Sequence, residues 1–272
     1  MKMPNVRRLF IPDPGMIIAD VDLDRADLQV VVWEADDADL KRQLKMGVDL
    51  HIMNGVQLEG NETPPEEELV ESHPEYPEHY ARYSKQRQFA KSFIHGTNYG
   101  GKARTMGITA GISTQRAEYL QKRWFQIHPG IKAWHDRTME SLLRKREVRN
   151  AFGFRRFYFD RIDGILPEAL AWVPQSTVAI IINEGLKKID RAVIKEEMYP
   201  VELLLQVHDS LVFQYEKRYD PVIRPQIRNN LLITVPYEDP LVIPVGMQIS
   251  DRSWGEVKSV KWTEEPQLEA VS

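Results

Sequence analysis

Two stretches of strand-forming residues, far apart in the chain, each run into an aspartate where the apolar pattern would otherwise continue. The first, Met16-Ile17-Ile18-Ala19-Asp20-Val21-Asp22, leads into a helix expected to start near Ala26. The second, 201–213, is apolar and β-branched on both sides of His208-Asp209 and reads as one strand interrupted by charge. A buried carboxylate is costly unless a cation partners it. Adjacent strands of one sheet could therefore bring Asp22 and Asp209 together around divalent ions, although either aspartate alone is more often a surface turn residue.

Between these stretches the chain reads as helical. Residues 83–99 have helical character, Ser113 is a reasonable N-cap for a helix carrying Tyr119, Leu120 and Trp124, and His128-Pro129-Gly130 stops that helix. A further amphipathic helix follows through Trp134 and Leu142, then a strand pair around Val148 and 157–159, then a helix over 173–189 entered near Pro174. Residues 54–80 turn acidic and proline-rich, which predicts a solvated loop. The order strand, helical block, strand and β-rich tail predicts an α+β sheet domain with a helical insertion.

The chain has 272 residues, enough for a full core, with 42% hydrophobic and 28% charged residues and no apolar run of membrane-spanning length. No membrane role is expected. The basic N-terminus is not followed by an apolar export segment, which points to the inside of a cell. Zero cysteines exclude disulfides and thiolate metal sites, leaving oxygen and imidazole ligands that favour a hard ion such as magnesium. The net charge of −4 argues against polyanion binding by the whole surface, so any nucleic-acid contact must come from a basic face.

Three motifs carry candidate ligands. Asp20, Asp22 and Asp24 alternate as in a calcium loop, but Arg25 stands where such a loop needs Gly and Val31 where it needs Glu. Gly96 to Lys102 fits the start of a phosphate-binding P-loop, yet Ala103 replaces the required Ser or Thr and a helix precedes it. Arg87, Lys91, His95 and Tyr99 recur at four-residue steps, so on a helix they form one stripe of two cations, an imidazole and a phenol. Such a stripe can grip a triphosphate and stack on a sugar or base, where a solvated basic face is the plainer alternative.

Taken together, Asp22-Leu23-Asp24-Arg25-Ala26-Asp27-Leu28, then Arg87-x-x-x-Lys91-x-x-x-His95-Gly96-x-x-Tyr99-Gly100, and Gln206-Val207-His208-Asp209 resemble motifs A, B and C of family A DNA polymerases. The resemblance extends to Arg7-Arg8-Leu9-Phe10-Ile11-Pro12, Asp49-Leu50-His51, Gly153-Phe154-Arg155-Arg156, Pro174-Gln175-Ser176-Thr177 and Ser253-Trp254-Gly255. It implies an antiparallel palm sheet built from 10–22 and 201–213 with a helical fingers insertion. The expected domains are 1–36 (palm), 37–166 (fingers, motif B helix about 83–100) and 167–272 (palm).

On this resemblance Asp22, Asp209 and the Leu23 carbonyl would ligate two Mg2+ ions. Arg87 and Lys91 would hold the incoming dNTP, with Lys91 also a general acid toward pyrophosphate. Tyr99 would stack near the templating position, and Arg25, Gln175, Gln206 and His208 would approach primer-template DNA. Asp27 stands where the family has glutamate against the ribose 2′-hydroxyl, and His95 where it has Phe or Tyr. Ser210 after Asp209 is similar to motif C of single-subunit RNA polymerases, so RNA synthesis and a non-catalytic nucleic-acid-binding remnant stay open as alternatives. The family places a thumb, and usually an exonuclease, before motif A, and neither is expected within these residues. The resemblance thus implies a fragment, the product of a split gene, or one half of a two-chain polymerase whose other chain would supply them, in the cytoplasm of a bacterium or phage-infected cell.

Overall fold

The computed structural model describes residues 5–162, 164–194, 200–260 and 262. They form an α+β protein whose chain divides into two compact units, Met1–Ala26 with Ser176–Ser272, and Asp27–Gln175 inserted between them in sequence. The insertion runs from 27 to 175, where the sequence suggested 37 to 166.

The first unit is built on a five-stranded sheet in the order Val201–Val207, Ser210–Glu216, Met16–Leu23, Val245–Ser250, Lys258–Ser259. Every pairing is antiparallel. Met16–Leu23 lies at the centre, and its Ile17, Ile18, Ala19, Val21 and Leu23 are buried. On this strand Asp20 and Asp22 point to one face, since successive side chains alternate. The helix Asp220–Leu231 buries Ile223, Ile227 and Leu231 at four-residue steps, and its Asp220 accepts a hydrogen bond from the buried Tyr215 hydroxyl at 2.8 Å.

The region 201–213 differs from the single interrupted strand that its composition suggests. It folds as a hairpin, with Val207 paired to Ser210 and His208-Asp209 as the two-residue connection. Nothing in the pair His-Asp advertises this, because short hairpin turns are usually marked by Gly or Asn.

The second unit packs helices around Phe93, Leu120, Trp124, Ile131, Trp134, Leu142 and Leu170. Side-chain caps start several of them: Asp37 accepts from Leu40 N at 3.0 Å, Asp49 from His51 N at 3.0 Å, and Ser113 from Arg116 N at 3.1 Å. The expected loop over 54–80 is partly helical, since Leu50–Glu59 and Tyr76–Arg82 are helices and Asn54, Val56 and Leu58 are buried. Gly55 lets Leu50–Glu59 approach the helix Ser84–Asn98 closely, where a Cβ would fall 2.8 Å from the Gln86 carbonyl oxygen. The helix expected to enter at Pro174 starts at Leu166 and runs to Ile189, with Pro174 inside it. No described helix is long and apolar enough to cross a membrane.

Candidate active site

In the first unit, sheet register brings the two strand-end aspartates together. Asp22 sits opposite Ser210 on one side and Gly246 on the other, and Leu23 N donates to the Asp209 carbonyl oxygen at 3.2 Å. His208 takes φ 52°, a left-handed conformation uncommon for a residue with a Cβ, and Ser210 Oγ closes the turn onto the Val207 carbonyl at 3.1 Å. Strain of this kind is retained where the surrounding structure enforces it, and often where function uses it.

Neither Asp22 nor Asp209 has a cationic partner among the described residues. Burial, followed by the negative charges of Asp20 and Asp209 and, less, of Asp24, holds the Asp22 carboxyl above the usual carboxylate range. Asp20 is partly satisfied: its Oδ2 accepts from Trp254 Nε1 at 2.7 Å and lies 3.7 Å from Arg7, while its Oδ1 is buried without a partner. Gly246 leaves room for this arrangement, because a Cβ there would fall 2.7 Å from Asp22 Oδ1.

This donor set suits a hard divalent ion. Among the described residues no three His, Asp or Glu side chains gather as a cage. Two carboxylates with a backbone carbonyl would make an open half-shell, of the kind magnesium typically completes with water and substrate phosphates.

In the second unit the four-residue stripe is real and lies on Ser84–Asn98 and its C-cap, Tyr99. Arg87 Nε donates to Asp49 Oδ2 at 2.7 Å, and its guanidinium lies 5.1 Å from the centre of the Tyr80 ring. The same Asp49 oxygen accepts from the Tyr76 hydroxyl at 3.0 Å, and burial together with Asp49 pushes Tyr76 up to about 12. Burial alone would raise Asp49, but the Arg87 hydrogen bond and charge outweigh it and hold the carboxyl low. The Arg87 Nη atoms take no hydrogen bond among the described residues, so the guanidinium is anchored by one edge and open along the other.

Lys91 and His95 are exposed, one and two turns further on. His95 meets Tyr99 edge to face with centroids 4.6 Å apart, and the Tyr99 hydroxyl donates to Asp27 Oδ2 at 3.0 Å. Burial, then the Asp27 charge, raises the Tyr99 phenol well above its usual range. The remaining expected contacts are on the surface: Gln175, Gln206 and His208 are exposed, and Arg25 pairs with Asp24 at 2.8 Å.

A sequence profile of DNA polymerase family A matches residues 2–256. The chain belongs to that family. The thermostable DNA polymerase I of Thermus filiformis is 28% identical over 262 residues, covering 93% of this chain and 29% of that protein. The DNA polymerase of Mycobacterium phage D29 is 25% identical over 252 residues, covering 92% of this chain and 37% of the phage protein. The chain therefore spans well under half the length of these relatives. The fold is similar to the POL domain of Pol1 from M. smegmatis, solved in complex with DNA primer-template and dNTP, with a TM-score of 0.76 at 20% identity over 92% of this chain and 42% of that one.

Within this family A chain, the roles of two residues of the clusters escape sequence reading. Asp49 carries a legible signal, an aspartate just before an apolar helical run, which is the pattern of an N-cap; its grip on Arg87 is visible only in three dimensions. Gly246 has none, since its role comes from the strand register opposite Asp22.

Proposed function

We propose that this chain is the catalytic portion of a template-directed DNA polymerase, adding deoxynucleotides to a primer 3′ end. The observation that carries the reading is the meeting of Asp22 and Asp209 at adjacent strand ends with no cationic partner among the described residues. With Leu23 these residues would hold two Mg2+ ions, which when bound lower the cost of forming the attacking 3′-oxygen and of releasing pyrophosphate. The sheet unit would be the palm and the helical unit the fingers.

The chain's own side chains divide the remaining work. Arg87 would take triphosphate oxygens on its open edge, and Lys91 would bind the same group and pass a proton to the departing pyrophosphate. Asp27, tied to the Tyr99 hydroxyl, would wall off the space of a ribose 2′-hydroxyl, while Tyr99 would stack near the templating position. Arg25, Gln175, Gln206 and His208 would meet primer-template DNA. A separate chain or further sequence would supply the thumb and exonuclease, and the setting would be the cytoplasm of a bacterium or of a phage-infected cell.

Ser210 and the short Asp27 side chain keep RNA synthesis as a second reading. Primer extension on a DNA template with magnesium decides between them. Wild type should extend with dNTPs in preference to rNTPs, and Asp209→Ala should reduce extension by about a thousandfold. Preference for rNTPs would favour the RNA reading, and equal extension by Asp209→Ala would refute the proposed site.

A further inference from the structure

Residues 61–80, within the stretch whose composition suggests a solvated loop, are fastened to the helical unit at several points. Leu69 is fully buried, Asp49 N donates to the Leu69 carbonyl oxygen at 2.8 Å, and Val48 bridges to Val70. Glu66 accepts from Arg42 Nη2 at 2.9 Å and from Gln43 Nε2 at 2.8 Å, and these bonds hold its carboxyl down to about 2. His79 Nε2 lies 2.8 Å from Glu68 Oε2, and its ring stacks on Tyr83 with centroids 6.1 Å apart.

The helix Tyr76–Arg82, at the end of this stretch, buries no residue of its own. It therefore adds little to the core, and its fixed place calls for another reason. Tyr76 and Tyr80, four residues apart and so on one face, both reach Arg87. Tyr76 shares the Asp49 oxygen with it, and the Tyr80 ring lies 5.1 Å from its guanidinium. Tyr80 is 44% accessible and its hydroxyl takes no hydrogen bond among the described residues, so its tie to the molecule runs through the ring.

We propose that Tyr80 is a positioning residue for nucleotide binding, its ring fixing the plane of the Arg87 guanidinium so that the edge left open by Asp49 faces the triphosphate. One hydrogen bond at Nε places the guanidinium but lets it swing about that bond. A ring beneath one face attracts the planar cation and removes the swing. Ordering Arg87 before the ligand arrives lowers the entropy cost of binding. The role belongs to the ring, so phenylalanine serves as well as tyrosine and an aliphatic side chain does not. The inference rests on Arg87 as a triphosphate ligand and extends that reading to a residue outside every motif of the family resemblance.

The test is equilibrium titration of a fluorescent dATP analogue in magnesium without primer-template, for wild type, Tyr80→Leu, Tyr80→Phe and Tyr80→Trp, each also in an Arg87→Ala background. Tyr80→Leu should bind about fivefold more weakly, and the phenylalanine and tryptophan variants should bind at least as tightly as wild type. With Arg87→Ala in place, Tyr80→Leu should add no further loss. In primer extension, Tyr80→Leu should raise KM for dNTP more than it lowers kcat. The proposal is overturned by unchanged binding in Tyr80→Leu, by an equal loss in Tyr80→Phe, by losses that add to that of Arg87→Ala, or by no dATP binding in wild type. The phenylalanine and tryptophan variants decide the matter if Tyr80→Leu fails to fold. Primer extension that Asp209→Ala abolishes, with Tyr80→Leu binding unchanged, would overturn this inference alone. The expected binding pattern without any extension by wild type would overturn the polymerase reading alone.

Discussion

At the end of the Met16–Leu23 strand two carboxylates stand close without a cation, whereas on the Ser84–Asn98 helix Arg87 is already anchored by Asp49. In the first region burial, then the charges of Asp20 and Asp209, raise the Asp22 carboxyl, and a bound cation would lower it again. The second region has its charges matched in advance, and what it offers a ligand is orientation. The difference teaches that two polar clusters in one chain can be prepared for opposite tasks. On the proposed reading, one would take an ion to complete it, while the other would hold a donor ready for a phosphate.

The comparison breaks most readily at Gly246. A methyl group there would fall 2.7 Å from Asp22 Oδ1, so Gly246→Ala should displace the carboxylate and reduce primer extension by about a hundredfold. Stability should change little, because the edge of the carboxylate can yield. Wild-type extension by this variant would show that the position of Asp22 is not critical.

On the helix side the expected change is smaller and of another kind. Asp49→Asn keeps an oxygen for the N-cap but removes the charged acceptor of Arg87. KM for dNTP should rise about tenfold with kcat little altered, and Tyr76→Phe should show the same trend more weakly. In an Arg87→Ala background, Asp49→Asn should add almost nothing, since Asp49 acts through Arg87. Additive losses in steady-state kinetics would mean that Asp49 serves the fold alone.

The smallest effect concerns the far end of that helix, where His135 Nε2 donates to the Asn98 carbonyl at 2.8 Å. Burial holds His135 below its usual 6.5. Between the two values the unfolded chain binds more protons than the folded one, so the contribution is full above about 6.5 and is lost as pH falls below it. Urea midpoints should drop between about pH 7.5 and about pH 5.5, and less steeply in His135→Gln. An identical drop in both proteins would remove His135 as the cause.

Much of this organisation is legible in the sequence. The apolar run ending at Asp22, the stripe from Arg87 to Tyr99 and the Ser113 cap are local patterns, and local patterns set strands, helices and helix starts. The helix Leu50–Glu59 was hidden by the acidic, proline-rich residues after it, which colour a wide composition window although Asn54 and Leu58 face the core. The hairpin turn at His208-Asp209 lacks the Gly or Asn that usually marks a two-residue connection, and its left-handed His208 goes with the pairing of its two strands. Gly246 and the partnership of Asp49 with Arg87 depend on register and packing between segments distant in sequence, which no local pattern encodes.

The central claim is that Asp22 and Asp209, side by side without a cationic partner among the described residues, would receive a divalent cation, and thermal unfolding of wild type and Asp22→Asn, each in EDTA and in excess Mg2+, tests it most directly. The account predicts that Asp22→Asn in EDTA is as stable as wild type or more so, by about 1 kcal/mol, and that Mg2+ raises the midpoint of wild type alone. A variant less stable in EDTA, or an equal Mg2+ shift in both proteins, would contradict it and return Asp22 to a structural role.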